Sequence, residues 1–149
     1  MKLKTRIAIV VAEYNRDITH ALLEGCQQRL QERGVILENQ LVSHVPGAVE
    51  LPLIAQQYAK NRQVDAIICL GAVIRGETDH YEYVAKMAAD GCQHVSLTHN
   101  IPVIFGVLTV NHYAQALDRV GGRVGHKGVE AADCVMQMLT IMREIREEE

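Results

Sequence analysis

A stretch of ten residues, GAVIRGETDH from Gly71 to His80, carries the side chains whose types and spacing could do chemistry. It follows a short apolar run of strand length, Ala66–Leu70, and a pattern typical of an amphipathic helix begins at about His80. A strand that leads through a glycine-bearing loop to a helix N-terminus directs several N–H groups at one point, which predicts an anion site. Histidine changes its charge near neutral pH, so His80 could exchange protons with a bound substrate, or could simply be exposed.

The spacing Gly-x4-Gly-x-Thr in this stretch matches the nucleotide P-loop at every position but one. Glu77 stands where the P-loop has its lysine. This difference argues strongly against a nucleoside triphosphatase and leaves room for a smaller phosphate, whose cationic partner would come from elsewhere. Arg119 and Lys127, which flank a glycine-rich segment, could be that partner, or could face solvent.

Three further residues have either a functional or a purely structural explanation. Tyr14 directly follows an apolar strand and could be a stacking platform for a ring, although an aromatic residue there is more often part of the core. Glu50 opens a helix and could bind a ligand or only complement the helix dipole. Phe105 lies inside an apolar strand and is by default a core residue.

The elements that must position these residues alternate between strand and helix. Helices are predicted from a cap at Asp17 or Thr19 to Gly34, from about Glu50, from about His80 to Leu97, from a cap at Asn111 to about Val120, and from about Val129. The predicted strands are Ile7–Ala12, about Glu38–Val45, Ala66–Leu70 and Val103–Leu108. Repeated βαβ units predict an α/β fold, a three-layer αβα sandwich around a four-stranded parallel sheet.

Ligands of such sheets bind outside the carboxyl ends of the strands. The segments expected to meet there are Glu13–Asn15, Gly47–Glu50, Gly71–His80 and the edge after Phe105. The Arg119–Lys127 stretch joins them only if the last two helices bring it back, or if a neighbouring subunit supplies it.

Length and composition argue against several other classes of protein, such as nucleic-acid-binding and membrane-spanning proteins. The 149 residues predict one domain, 1–149, and a net charge of −3 argues against nucleic-acid binding through bulk electrostatics. No apolar run is long enough to cross a bilayer, and the N-terminal pattern indicates a first strand instead of a signal peptide. The cysteines lie in apolar contexts without a CxxC pair, which predicts buried, reduced thiols in a cytosolic protein: Cys26, Cys69, Cys92 and Cys134.

Five segments together resemble one family. VAEYN, VPGAVELPL, LGAVIRGETDHYEYV, IPVIFGVLT and LDRVGGRVGHKGVEAA are similar, in order and separation, to segments of the lumazine synthases, and the resemblance extends from Ile7 to Met138. It implies a flavodoxin-like fold and the penultimate step of riboflavin biosynthesis. In that reaction 5-amino-6-(D-ribitylamino)uracil condenses with 3,4-dihydroxy-2-butanone 4-phosphate to 6,7-dimethyl-8-ribityllumazine, with loss of phosphate and water.

The resemblance also implies roles for matching residues. Tyr14 would stack on the pyrimidine ring, where the family usually has Phe or Trp. His80 would transfer protons during Schiff-base formation and phosphate loss, and Arg119 would supply the charge that the phosphate loop lacks. The other implied contacts are Asn15 at the ring pocket; Ala48, Val49 and Glu50 on the ribityl chain; Val73 and Ile74 lining the ring pocket; Gly76, Glu77 and Thr78 on the phosphate; and Phe105 and Lys127, which would come with Arg119 from the neighbouring subunit.

The implied assembly is a cytoplasmic homo-oligomer, at least a pentamer, with active sites between adjacent subunits and riboflavin synthase as a candidate partner. No cofactor, metal ion, nucleic acid or membrane is expected.

Three features depart from the family pattern. Val49 replaces an aromatic residue that is common in the family, and His126 replaces a common asparagine. The short segment before Ile7 weakens the expectation of a larger shell. Two alternatives are disfavoured. A flavin-binding, lumazine-binding or shell-forming protein without turnover would be free to lose residues such as His80 or Arg119, and a flavodoxin-like phosphate or FMN module would carry its phosphate signal in the first βα loop, where VAEYNRDIT lacks glycine.

Overall fold

The structure is a computed structural model that describes residues 4–61 and 63–147. Residues 1–3, 62, 148 and 149 are outside the described residues, and so are both ends of the predicted domain and the last two glutamates of the acidic C-terminus.

The centre of the fold is a sheet of four parallel strands in the order β2-β1-β3-β4. The strands are β1 Ile7–Ala12, β2 Gln40–Val45, β3 Ala66–Ile74 and β4 Val103–Val110. All four predicted strands are confirmed, with β1 at its predicted bounds. The strands β3 and β4 continue beyond the predicted ends because Ala72 and Val73 extend the buried apolar run of β3, with which β4 pairs as far as Val110.

Five helices and a small hairpin complete the described chain. The helices are α1 Arg16–Glu32, α2 Leu51–Asn61, α3 His80–His99, α4 Tyr113–Leu117 and α5 Lys127–Glu147. Short 3-10 turns cover Leu37–Asn39 and Ala48–Glu50, and an antiparallel hairpin pairs β5 Val120–Gly122 with β6 Gly125–His126. None of the described helices combines the length and the apolar character needed to cross a membrane.

The strand β1 shows why helices cover both faces of the sheet. Every residue of β1 is at most 1% exposed. Successive side chains of a strand point to opposite faces, and Ile7, Ile9 and Val11 pack with residues of α1 and α5. Ala8, Val10 and Ala12 pack with residues of α2 and α3. The predicted three-layer αβα sandwich is therefore confirmed.

The prediction that Gly71 begins a phosphate-cradling loop is wrong. Gly71 lies within β3, is buried and pairs with Val107 of β4. A Cβ atom on Gly71 would make ordinary van der Waals contacts with Ala12 and Leu51 at 3.5 Å, which places this residue in the interior of the fold and away from a loop. The loop that leads to α3 contains only Arg75–Asp79.

Several predicted helix ends differ from the observed ones. The helix α1 is preceded by Asn15 in the left-handed conformation, whereas Thr19 is fully buried within the helix. The helix α4 is capped by His112 instead of Asn111 and ends at Leu117, because the chain then turns into the β5–β6 hairpin. The predicted end of α1 is confirmed, since Gly34 adopts a φ of +96° that other residues rarely adopt.

The helices α1 and α5 approach each other more closely than side chains would allow. A Cβ atom on Gly128 in α5 would lie 2.1 Å from the carbonyl oxygen of Leu22 in α1. The imidazole of His126 fills the adjacent space, 2.2 Å from where a Cβ atom on Gly25 would be. The backbone at the start of α5 therefore packs directly against the backbone of α1.

This close approach predicts that Gly128→Ala is strongly destabilising. The added methyl group would force the two helices apart, and we expect a loss of about 3 kcal/mol in the free energy of unfolding, at the upper end of overpacking effects. Urea unfolding of the assembled protein, followed by circular dichroism, measures the change. The matched control is Gly76→Ala, because nothing lies within 4 Å of a Cβ atom there. A cost for Gly128→Ala no larger than that of the control would contradict the described contact.

Candidate functional site

The loop after β1 joins the carboxyl ends of three strands. The backbone N–H of Glu13 donates to the carbonyl of Val45 at 2.7 Å, and that of Tyr14 donates to the carbonyl of Pro46 at 3.0 Å. The Asn15 side chain donates through Nδ2 to the carbonyl oxygen of Ala72 in β3 at 2.9 Å. These bonds hold the segment at Tyr14 and Asn15 against the β2 loop on one side and β3 on the other.

Tyr14 is presented to solvent at this edge. Its side chain is 73% exposed, although it directly follows a fully buried strand. Asn15 explains this orientation, because its φ of 62° turns the chain sharply between β1 and α1. The alternative that Tyr14 is a core residue is excluded, and its ring is available to stack on a planar ligand.

The 3-10 turn Ala48–Glu50 lies beside this loop, between β2 and α2. Ala48 is buried, Val49 is partly buried, and Glu50 exposes its carboxylate. Val73 and Ile74, which were expected to lie in a loop, form the end of β3, with Val73 buried and Ile74 partly buried. The strand ends thus present apolar side chains next to a free carboxylate.

Arg75 anchors the loop between β3 and α3. Its backbone N–H donates to the carbonyl of Val110 at 2.9 Å, and its Nε donates to Oδ1 of Asn111 at 3.0 Å. Its guanidinium group lies 4.4 Å from the centroid of the Tyr81 ring and 3.5 Å from a carboxylate oxygen of Glu82. Sequence reasoning did not single out Arg75, whose neighbours come from β4 and α3.

The residues after Arg75 present unused hydrogen-bond donors. Within the described chain, no acceptor is within hydrogen-bond distance of the backbone N–H groups of Gly76, Glu77 and Thr78. The hydroxyl of Thr78 accepts a hydrogen bond from the backbone N–H of His80 at 3.3 Å, and His80 is the first residue of α3, as predicted. These free N–H groups lie in the loop just before a helix of 20 residues, and the positive dipole end of that helix favours an anion.

Phe105, Arg119 and Lys127 form a second group. Phe105 and Lys127 line a groove of about 330 Å³ between β4 and α5, so Phe105 is not a fully enclosed core residue. Arg119 donates through a guanidinium nitrogen to the carbonyl of Gln115 at 2.9 Å, and its own carbonyl accepts from the backbone N–H of Lys127 at 2.8 Å. Among the described residues, no hydrogen bond or ion pair links this group to Tyr14, Glu50 or His80.

The cysteines differ from one another in burial. Cys134 is exposed and lines the groove of Phe105 and Lys127, so the prediction that all four thiols are buried is wrong for this one. Burial raises the pKa of Cys26 to about 12. A hydrogen bond with Cys92, together with burial, raises the pKa of Cys69. Cys26 and Cys69 are therefore protonated thiols that are unsuited to nucleophilic chemistry.

His126 was considered only as a departure from the family pattern, and the structure gives it a definite task. Its Nδ1 accepts hydrogen bonds from the backbone N–H groups of Gly128 at 3.1 Å and Val129 at 3.3 Å. It thereby caps α5, which begins with Lys127. A polar residue directly before a helix is a signal that could have suggested this cap. The signal was missed because the helix was predicted to start at about Val129, two residues after its observed start at Lys127.

Comparisons with known proteins agree on one family. The family model described as 6,7-dimethyl-8-ribityllumazine synthase matches residues 4–143. A protein of that name from Coxiella burnetii is 49% identical over 140 residues, covering 94% of this chain and 93% of its own. Proteins of the same name from Protochlamydia amoebophila and Levilactobacillus brevis are 47% and 45% identical, covering 93% and 95% of this chain and 80% and 90% of their own.

Two substitutions of His126 distinguish the stability that comes from its capping hydrogen bonds from the stability that comes from the packing of its ring. His126→Ala removes both the ring and the acceptor, whereas His126→Asn removes the ring but keeps a side-chain oxygen that can cap the helix. We expect the alanine variant to be less stable than the asparagine variant by about 1 kcal/mol in urea unfolding. Equal stabilities of the two variants would show that the hydrogen bonds to Gly128 and Val129 contribute nothing.

Proposed function

The chain belongs to the 6,7-dimethyl-8-ribityllumazine synthase family, and from this premise we propose how its residues carry out the reaction. It is an enzyme of the penultimate step of riboflavin biosynthesis. It condenses 5-amino-6-(D-ribitylamino)uracil with 3,4-dihydroxy-2-butanone 4-phosphate and releases phosphate, water and 6,7-dimethyl-8-ribityllumazine. The proposal treats the chain as one domain and concerns which side chains hold each substrate.

The pyrimidine substrate is held at the ends of β1, β2 and β3. Tyr14 stacks on the pyrimidine ring, with Asn15 at the border of the pocket and Val73 and Ile74 lining it. The exposed ring of Tyr14 beside the apolar end of β3 supports this assignment, because an aromatic face and apolar walls suit a planar heterocycle. The ribityl chain lies along Ala48 and Val49, and the exposed Glu50 carboxylate accepts hydrogen bonds from its hydroxyl groups.

The phosphate of the second substrate binds at Gly76, Glu77 and Thr78. The free backbone N–H groups of these three residues, in the loop just before α3, are the observation that carries the proposed site. The loop contributes no cation of its own, since Arg75 is engaged with Asn111, Tyr81 and Glu82. Arg119 supplies the positive charge where the leaving phosphate develops negative charge.

His80 is the proton-transfer group. It opens α3 directly beside the phosphate loop, and its backbone is fixed by the hydroxyl of Thr78. Imine formation and phosphate loss each need protons to move, and a histidine can donate and accept them near neutral pH. Holding two substrates in register accounts for most of the acceleration in such a condensation, so the contribution of His80 is modest.

The active site is shared between adjacent subunits of a homo-oligomer, at least a pentamer. Phe105, Arg119 and Lys127 form a group without a polar link to Tyr14 or His80 in the described chain, which supports their joining the site of a neighbouring subunit. Riboflavin synthase, which uses the lumazine product, is the proposed partner. A cytoplasmic location belongs to the same proposal and fits four free thiols in the described residues.

The phosphate assignment predicts a selective loss in Arg119→Ala. Removing a charge-assisted contact costs about 1.5–3 kcal/mol, so we expect kcat/KM for the butanone phosphate to fall by about 10- to 100-fold. The KM for the pyrimidine substrate should stay close to that of the unmodified protein. Product absorbance follows the rate, with the uncatalysed condensation as the blank.

The matched control for Arg119→Ala is Arg123→Ala, in the turn of the same hairpin. The Arg123 side chain is 85% exposed and lies 3.4 Å from Asp118, so its removal should leave both KM values unchanged. Equal effects of the two substitutions would contradict a specific phosphate contact of Arg119. A folded oligomer of the unmodified chain with no rate above the blank would instead indicate a binding or shell protein.

The proton-transfer assignment predicts a modest effect of His80→Ala. We expect kcat to fall by about 10-fold, below the range of strong general acid–base catalysis, with little change in either KM. His94→Gln, which changes an exposed histidine on the same helix, is the control and should have no effect. An unchanged kcat in His80→Ala would rule out the proposed proton transfer.

A further inference from the structure

Three side chains from three parts of the chain meet at the carboxyl ends of β1 and β2. Glu13 follows β1, His44 lies in β2, and His20 lies in the second turn of α1. Their ligand atoms all lie within 4.8 Å of one another. We propose that Glu13, His20 and His44 form a binding site for a divalent metal ion of the zinc type, which departs from the expectation of a metal-free protein.

The geometry of the three donors is close to what one ion requires. Nδ1 of His44 lies 2.6 Å from one carboxylate oxygen of Glu13, and Nε2 of His20 lies 3.8 Å from the other. Zinc bonds of about 2.0–2.2 Å place tetrahedral ligands roughly 3.4 Å apart. Binding one ion therefore requires Glu13 and His20 to approach by about 0.4 Å and Glu13 and His44 to separate by about 0.8 Å, through rotation of side chains that are each more than a third exposed.

The chemical types of the three ligand groups indicate which metal ions would bind. Two imidazoles with one carboxylate suit zinc and its neighbours among the transition metals, whereas magnesium and calcium prefer oxygen ligands. Three protein ligands leave a fourth position for water or another small ligand. The backbones that carry Glu13 and His44 are fixed, since Glu13 donates to the carbonyl of Val45, the residue after His44.

Arg16 is the one cation in direct contact with the cluster among the described residues. Its Nε lies 3.2 Å from Nε2 of His20 and 3.6 Å from a carboxylate oxygen of Glu13. A metal ion would displace this contact and repel the guanidinium group. The Arg16 side chain is 72% exposed, so it can move into solvent at little cost. Arg16 therefore weakens metal binding without blocking it.

The site lies directly beside the proposed substrate pocket. Glu13 precedes Tyr14, and His44 is separated from Pro46 by one residue. A bound ion would connect the end of β1, the start of α1 and the end of β2. It would stabilise the folded chain by mass action, because the three ligands are together only in the folded state.

The test uses zinc chloride and the intact, assembled protein after treatment with a chelator. Isothermal titration should show one zinc ion per chain, and zinc should raise the melting temperature. We expect His20→Gln and His44→Gln to weaken zinc binding by about 100-fold or more and to abolish the thermal shift. Arg16→Gln should instead tighten binding by about 3-fold, because it removes a repulsive charge at an exposed position.

His94→Gln is the control, since it removes an exposed histidine of α3 outside the cluster. It should bind zinc like the unmodified chain. Circular dichroism establishes that each variant is folded. The proposal is overturned if the folded protein binds no zinc. It is also overturned if the substitutions at His20 and His44 weaken binding no more than His94→Gln, because the ion would then bind elsewhere.

Discussion

The burial of β1 and β3 on both faces is the constraint on which the rest of this structure depends. From Ile7 to Ala12 and from Ala66 to Ala72, the apolar side chains are at most 4% exposed. Each buried Ile, Val or Leu contributes about 1.5–3 kcal/mol relative to its exposed state. Two central strands of this kind require a helical layer on each side of the sheet. The crossovers then align the strands in parallel and bring their carboxyl ends to one edge.

The proposed site uses this rigid edge to hold short polar segments in place. Asn15 reaches from the β1 loop to the backbone of β3, and Arg75 ties the loop before α3 to the end of β4. These two side chains hold the loops through hydrogen bonds within the protein. The Tyr14 ring and the N–H groups of Gly76–Thr78 make no such bonds among the described residues, so they are free for ligands. Because Arg75 is already engaged, the proposed phosphate site needs a cation from outside its own loop.

The second proposed half of the site depends on a different contact, the close approach of α1 and α5. Glycines at positions 25 and 128 allow this approach, and His126 both fills the space beside them and caps α5. The cap lies directly before Lys127, and the backbone N–H of Lys127 donates to the carbonyl of Arg119, so one backbone bond links the two residues that flank the hairpin. In the proposed arrangement, the positions of Arg119 and Lys127 would therefore depend on the packing of α1 on α5 through His126, which itself touches neither substrate.

The sequence by itself determined the fold class, the four strands and the family. Short continuous apolar runs rich in β-branched residues, such as Ile7–Ala12, are typical of strands buried on both faces, and the family segments extend over most of the chain. The sequence also determined that Glu77 excludes a P-loop and that His80 begins a helix. These are local properties, which depend on the residue types of one short stretch.

The tertiary structure alone decided features that depend on contacts between distant segments. Gly71 belongs to β3 because β4 pairs with it, Tyr14 is exposed because Asn15 turns the chain, and Arg75 is occupied by Asn111 and Glu82. The cluster of Glu13, His20 and His44 is likewise absent from any local pattern, because its members come from three separate parts of the chain. A single segment specifies its own conformation, but the partners of its side chains exist only after the layers have packed.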